Sequence, residues 1–175
     1  VAVTDTTVLL LGETGTGKEV FAQAIHDNGG SGVITPDLTI EESSRWKNAV
    51  ESSGINPIYV VAPSTSDARL QQVTSRCGGF IYAASLMGVT GTRTSVSSGA
   101  ADLVARIRTS SKTPVAVGLG VSTREQAKGV ATYADGVIVG SAFINKLLEA
   151  KDEASGLQAV EELATELSKG VREGR

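Results

Sequence analysis

Residues 7–19 read Thr7-Val8-Leu9-Leu10-Leu11-Gly12-Glu13-Thr14-Gly15-Thr16-Gly17-Lys18-Glu19, and a helical pattern continues through Phe21-Ala22-Gln23-Ala24-Ile25. An apolar run, a glycine-rich turn and a helix make a βα unit. The turn has the Gly-x-x-x-x-Gly-Lys spacing of a phosphate-binding P-loop. Glycines let consecutive backbone N–H groups face one anion, and a helix start adds about half a positive charge. The pattern assigns Gly12, Thr14, Gly15, Thr16, Gly17, Lys18 and Glu19 to nucleotide phosphates, with Lys18 reaching the outer ones. Glu19 stands where the general motif has Ser or Thr. Read without a ligand, the same residues are a tight turn between strand and helix.

Outward from this unit the alternation repeats. Six strand candidates are Thr7–Leu11, Gly32–Thr35, Pro57–Ala62, Gly79–Ala84, Pro114–Gly118 and Gly136–Val139. They are near-continuous apolar runs, as in strands buried on both faces of a parallel sheet. Helical spacing aligns Leu70, Val73 and Cys77, then Leu103 and Ile107, then Leu157, Val160, Ala164, Leu167 and Val171. Capping boxes are expected at Thr39-x-x-Glu42 and Ser122-x-x-Glu125. The fold class is α/β: six βα units with a parallel sheet, in a single domain over 1–175. Lys151–Gly156 is the most polar loop.

Composition narrows the function classes. The chain has 175 residues, 41% hydrophobic, 20% charged and 4% aromatic, with a net charge of −3. That charge argues against a broad nucleic-acid surface. One cysteine, Cys77, excludes an internal disulfide and a Cys-based metal cluster, and one histidine, His26, argues against a metal site. No apolar run has membrane-spanning length and the first residues lack signal-peptide character, so a cytoplasmic protein is expected. Trp46 and Cys77 are read as packing residues, Glu161-Glu162 as a solvated helix face and Arg172–Arg175 as a frayed terminus.

Two resemblances rest on these motifs. Residues 1–26, through Thr7–Glu19 and Phe21-Ala-Gln-Ala-Ile-His26, resemble the ATPase module of bacterial enhancer-dependent transcription activators, a branch of the AAA+ family whose motif also carries Glu at position 19. From Gly29 on, the chain resembles the C-terminal part of the tryptophan synthase α subunit. The residues that carry this are Gly32-Val-Ile-Thr-Pro-Asp-Leu38, Asn56-Pro-Ile-Tyr-Val-Val-Ala-Pro63, Phe80-Ile-Tyr-Ala-Ala-Ser85, Gly88-Val-Thr-Gly91, Val117-Gly-Leu-Gly-Val-Ser122 and Ala134-Asp-Gly-Val-Ile-Val-Gly-Ser-Ala142. In that family these are strands four to eight of an eight-stranded barrel. Together the resemblances imply an engineered chimera, 1–28 fused to 29–175, with the splice near His26–Gly29.

The second resemblance implies a phosphate site at Gly91, Gly120, Gly140 and Ser141, and pocket remnants at Asp37, Tyr82 and Thr90. Leu119 stands where the family often has an aromatic residue. The family's two catalytic acids belong to its second strand and the loop after it, which are not found in this sequence, so no lyase turnover is expected. ATP hydrolysis lacks a Walker B carboxylate and an arginine finger. The chimera reading is therefore a scaffold with phosphate or weak nucleotide binding. It requires no cofactor, and its candidate ligands are ATP with magnesium, phosphate or sulfate. The alternatives are a weak ATPase, a residual indole-3-glycerol-phosphate lyase, or an interaction module with affinity for the synthase β subunit. Three architectures compete: an open Rossmann-like sandwich, an incomplete TIM-barrel segment, and self-association through exposed sheet edges or a concave face.

Overall fold

The computed structural model describes residues 6–9, 29–84, 98–118 and 120–175, with the side chains of 6–9 and 98 excepted. In chain order the elements are β1 (Thr6–Leu9), β2 (Gly30–Ile34), α1 (Ser44–Ser52), β3 (Asn56–Ile58), β4 (Val60–Val61), α2 (Asp67–Thr74), β5 (Ile81–Ala84), α3 (Ser98–Arg108), β6 (Val115–Gly118), α4 (Arg124–Ala131), β7 (Gly136–Ile138), α5 (Ser141–Leu148) and α6 (Glu153–Glu173). They fall into two compact units. One holds residues 1–82 and 107–113, the other 83–106 and 114–175. The expected parallel α/β class with βα units is what the molecule has.

In the first unit β1, β2 and β3 pair in parallel, with Val8 opposite Val33 and Val33 opposite Pro57. Val33, Ile34 and Ile58 are buried, which is why these strands read as unbroken apolar runs. The run expected as one strand over Pro57–Ala62 is divided at Tyr59. The Tyr59 N–H donates to Cys77 Sγ at 3.4 Å, leaving the strand ladder. Its buried hydroxyl donates to Ser43 Oγ at 2.9 Å, and its ring meets Trp46 edge-on at 5.5 Å and 81°. Trp46 is a packing residue, as read.

Two further local expectations fail in this unit, each for a visible reason. Cys77 lies beyond the end of α2, not on its apolar face; its Sγ donates to the Phe80 carbonyl at 2.9 Å and burial pushes the thiol up to about 11. Thr39 and Glu42 bond to each other at 3.2 Å without capping a helix, since α1 starts only at Ser44. Ser43, the residue before α1, is occupied with Tyr59 and the Ile40 carbonyl and caps nothing.

In the second unit β6 and β7 are parallel, with Ala116 opposite Gly136 and Gly118 opposite Ile138. The capping box of α4 is Thr123 with Gln126, one residue on from the expected Ser122 and Glu125. The Gln126 side chain takes the N–H groups of both Ser122 and Thr123, which Glu125 is not placed to do. A second box, Asp152 with Ser155, starts α6 at Glu153, so the polar loop is shorter than Lys151–Gly156.

Helix α6 closes on α4 at Gly170. A methyl group there would lie far inside van der Waals contact with the Arg124 carbonyl oxygen. Around this close approach Arg124 pairs with Glu166 at 3.3 Å and with Glu173, and Arg175 donates to the Asp135 carbonyl at 2.6 Å. The C-terminal residues are therefore tied down, not frayed. Among the described residues no helix is long and apolar enough to cross a membrane.

Gly170→Ala is expected to lower stability by about 1–3 kcal/mol, the usual cost of overpacking a close contact. Urea unfolding monitored by circular dichroism measures it, and an unchanged midpoint would show that α6 can slide off Arg124 at no cost.

Candidate functional site

Strands β6 and β7 end side by side, and their register fixes where the chain beyond each begins. Gly118 is opposite Ile138, so two residues further on Gly120 and Gly140 leave neighbouring strands at equivalent places. Paired strands lie about 4.8 Å apart, close enough for two turns to face one small anion. Gly120 has φ of +67°, a left-handed conformation that costs a side-chain-bearing residue about 1–2 kcal/mol. Gly140 precedes α5 at φ −130° and ψ −78° and has no side chain to cap that helix. Its carbonyl accepts from the N–H of Phe143 at 3.0 Å. The earliest N–H groups of a helix have no partner within it and suit an anion. A side-chain carbon built on Gly120 or Gly140 would meet nothing within 4 Å, so the ground before both turns is open. Ser141 is the first residue of α5 and is exposed. Of the expected phosphate group, the structure brings Gly120, Gly140 and Ser141 into one βα edge.

Two of the pocket remnants, Asp37 and Tyr82, fall in the first unit. Asp37 is exposed in the turn after β2 and lines a cavity of about 200 Å³ with Thr39, Tyr59, Thr65 and Arg69. Arg69 pairs bidentately with Glu41, and that guanidinium holds the Glu41 carboxyl down at about 2. Tyr82 is half-buried on β5, where burial raises its phenol; it does not line this cavity. Neither Arg69 nor Thr65 was singled out in the sequence, because no local motif marks a residue whose partner lies far away in the chain. Thr90, Gly91 and Leu119 lie outside the described residues, as do Gly12, Thr14, Gly15, Thr16, Gly17, Lys18 and Glu19.

Parallel βα units with glycine turns and a helix start at their C-terminal ends define a parallel α/β protein. Residues 13–172 match the family model of the tryptophan synthase alpha chain. The chain belongs to the tryptophan synthase alpha chain family. It is 55% identical over 158 residues to the alpha chain of Streptomyces avermitilis, covering 90% of this chain and 57% of that one. With the Streptomyces coelicolor alpha chain it shares 53% over 156 residues, 89% of this chain and 58% of the other. Among solved structures, tryptophan synthase from M. tuberculosis superposes with a TM-score of 0.83 at 39% identity, over 96% of this chain and 62% of that chain. The A-subunit from the hyperthermophile Pyrococcus furiosus gives 0.78 at 28%, over 94% and 68%. The chain thus spans less than two-thirds of the curated relatives it matches. Within the expected fold class, it is the barrel-segment alternative that these neighbours support.

The match corrects the two-ancestry reading. It begins at residue 13 and runs through Lys18, Glu19 and the supposed splice at His26–Gly29, so one family accounts for both sides of the junction. The chimera, the ATPase module, the Walker A assignment and the ATP site are overturned with it. The glycine-rich run misled because glycine is the usual residue at tight turns of many kinds, with or without a ligand. Seven residues do not separate such a turn from nucleotide binding.

The Arg69–Glu41 pair makes a prediction at low pH. Glu41 is held near 2 when folded, against an ordinary 4.5, so its contribution is complete above 4.5 and is lost as pH falls towards 2. The pair is exposed, so the effect is small. Urea midpoints at pH 7, 4 and 2 should drop less steeply in Arg69→Gln than in the parent, and parallel curves would remove Arg69 as the cause.

Proposed function

We propose that this chain acts as tryptophan synthase alpha chain does, in the cleavage of indole-3-glycerol phosphate to indole, and that its share of the site is to hold the substrate phosphate. The expectation of a scaffold without turnover does not survive the family match. One observation supports the phosphate role: Gly120 and Gly140 each follow by two residues the paired strand ends Gly118 and Ile138, with an uncapped helix start and Ser141 next in the chain. Such a site needs fixed N–H dipoles and no titrating group, so it works in either protonation state of the phosphate. Held this way, the phosphate anchors one end of the substrate while chemistry proceeds at the other. Gly91 completes the phosphate site in this reading, and Asp37, Tyr82 and Thr90 contribute to the rest of the substrate pocket.

The M. tuberculosis tryptophan synthase structures among the neighbours support a protein partner, which we take to be the synthase β subunit. The bacterial alpha-chain relatives support a cytoplasmic setting.

Calorimetric titration with indole-3-glycerol phosphate, alongside an indole-release assay, tests this. Binding should compete with inorganic phosphate, and Ser141→Ala should weaken it about tenfold, the loss of one hydrogen bond to a charged group. Affinity indifferent to both phosphate and Ser141→Ala would overturn the assignment.

A further inference from the structure

The cavity of the first unit carries two opposite charges that do not meet. One side of its wall is the turn after β2, residues 36–40, and the other is Tyr59, β4, Thr65 and α2. Asp37 and Arg69 are the two charged residues in that wall. A carboxylate and a guanidinium in so small a space are expected to pair, because opposite charge and two-pronged hydrogen bonding act together. Here they do not. Among the described residues no donor is bonded to the Asp37 carboxylate, and Asp37 is exposed.

Glu41 is the reason. It stands outside the cavity wall, one residue past Ile40, and takes both arms of Arg69. Nη1 donates to one carboxylate oxygen, and Nη2 to the other at 2.7 Å. The neighbouring acid, Glu42, is engaged elsewhere, by the Thr39 hydroxyl at 3.2 Å. Arg76, beyond the end of α2, donates to the Ile40 carbonyl at 2.5 Å. The turn is therefore gripped at Ile40 and Glu41, while Asp37 at its head is left to the cavity. An Arg69 released from Glu41 would find Asp37 as the acid in its own cavity wall. A neutral donor competes poorly with a guanidinium for one carboxylate, since the bidentate pair adds a second bond and a full opposite charge.

We propose that Glu41 is a positioning residue: by engaging Arg69 at the rim it keeps the guanidinium off Asp37, so that the Asp37 carboxylate is kept for a neutral N–H or O–H donor of the ligand in this cavity. The inference rests on the alpha-chain reading, in which Asp37 belongs to the substrate pocket, and deepens it by naming what keeps that acceptor open.

A guard and a fastener behave differently. If the Glu41–Arg69 pair only fastens the turn to α2, removing both partners is no better than removing one. If Glu41 keeps Arg69 occupied, losing Glu41 alone is harmful and losing Arg69 as well undoes the harm.

The test compares the full chain with Glu41→Gln, Glu41→Asp and the double variant Glu41→Gln with Arg69→Gln. A first readout needs no ligand: the rate at which a water-soluble carbodiimide and glycinamide modify Asp37, followed by peptide mass spectrometry. Glu41→Gln should slow that modification severalfold, the double variant should recover the parent rate, and Glu41→Asp, which keeps the charge, should stay near it. Calorimetric titration with indole-3-glycerol phosphate is the second. Glu41→Gln should weaken binding about tenfold, the loss of one hydrogen bond to a charged group, with recovery in the double variant. Equal losses in the single and double variants overturn the proposal, as does Asp37 modification that Glu41→Gln does not slow. A loss for inorganic phosphate as large as that for the substrate also overturns it, since the damage would then be general. A parent that binds no indole-3-glycerol phosphate counts instead against the alpha-chain reading, and the Asp37 modification rates still decide the pairing.

Discussion

Parallel pairing of β6 with β7, Gly118 against Ile138, is the constraint from which the site derives. Parallel strands run in one direction, so both must release their chains at the same edge, and equal register puts the two departures at the same height. What leaves there is glycine in both cases. Gly120 turns left-handed and Gly140 opens a helix with no side chain of its own. Direction, register and the absence of two Cβ atoms together leave open ground at this edge, which is what the proposed phosphate role uses.

Support for that edge comes from behind. α6 is drawn onto α4 by a glycine that lets two backbones nearly touch, and Arg124 secures the approach by pairing with Glu166 and Glu173. Exposed ion pairs contribute little by themselves, so the close approach at Gly170 sets the geometry and the charges keep it in register. The other end of α6 is different. Leu157 faces outward beside an α5 that buries nothing, so one helix is fixed at its C-terminal half and available at its N-terminal half.

In the first unit Tyr59 has a comparable organising role. Its N–H leaves the ladder for Cys77, its hydroxyl engages Ser43, and its ring meets Trp46. These bonds divide a strand, occupy the Ser43 hydroxyl ahead of α1 and engage Cys77 beyond the end of α2. The divided strand is the departure from the sequence reading that traces to this residue. The cavity beside Asp37 has Tyr59 in its wall, so the same interactions shape the ground around Arg69 and Thr65.

What the sequence determined by itself was the alternation of strands and helices, the burial of β2 and β6, and the family that Gly32–Leu38 and Ala134–Ala142 carry. Those are properties of contiguous residues, where periodicity and short motifs act. The family resemblance also picked out Gly120, Gly140 and Ser141 as phosphate candidates, since each lies in an intact local pattern. The glycine run at 12–18 shows the limit: seven residues suggested a nucleotide loop, and only the family match over residues 13–172 overturned that reading. Tertiary structure alone decided that Gly120 and Gly140 are neighbours, that Arg69 reaches Glu41, that Tyr59 breaks its strand and that α5 stays bare. Each depends on which surface meets which at long separation in the chain, and local spacing carries no information about that.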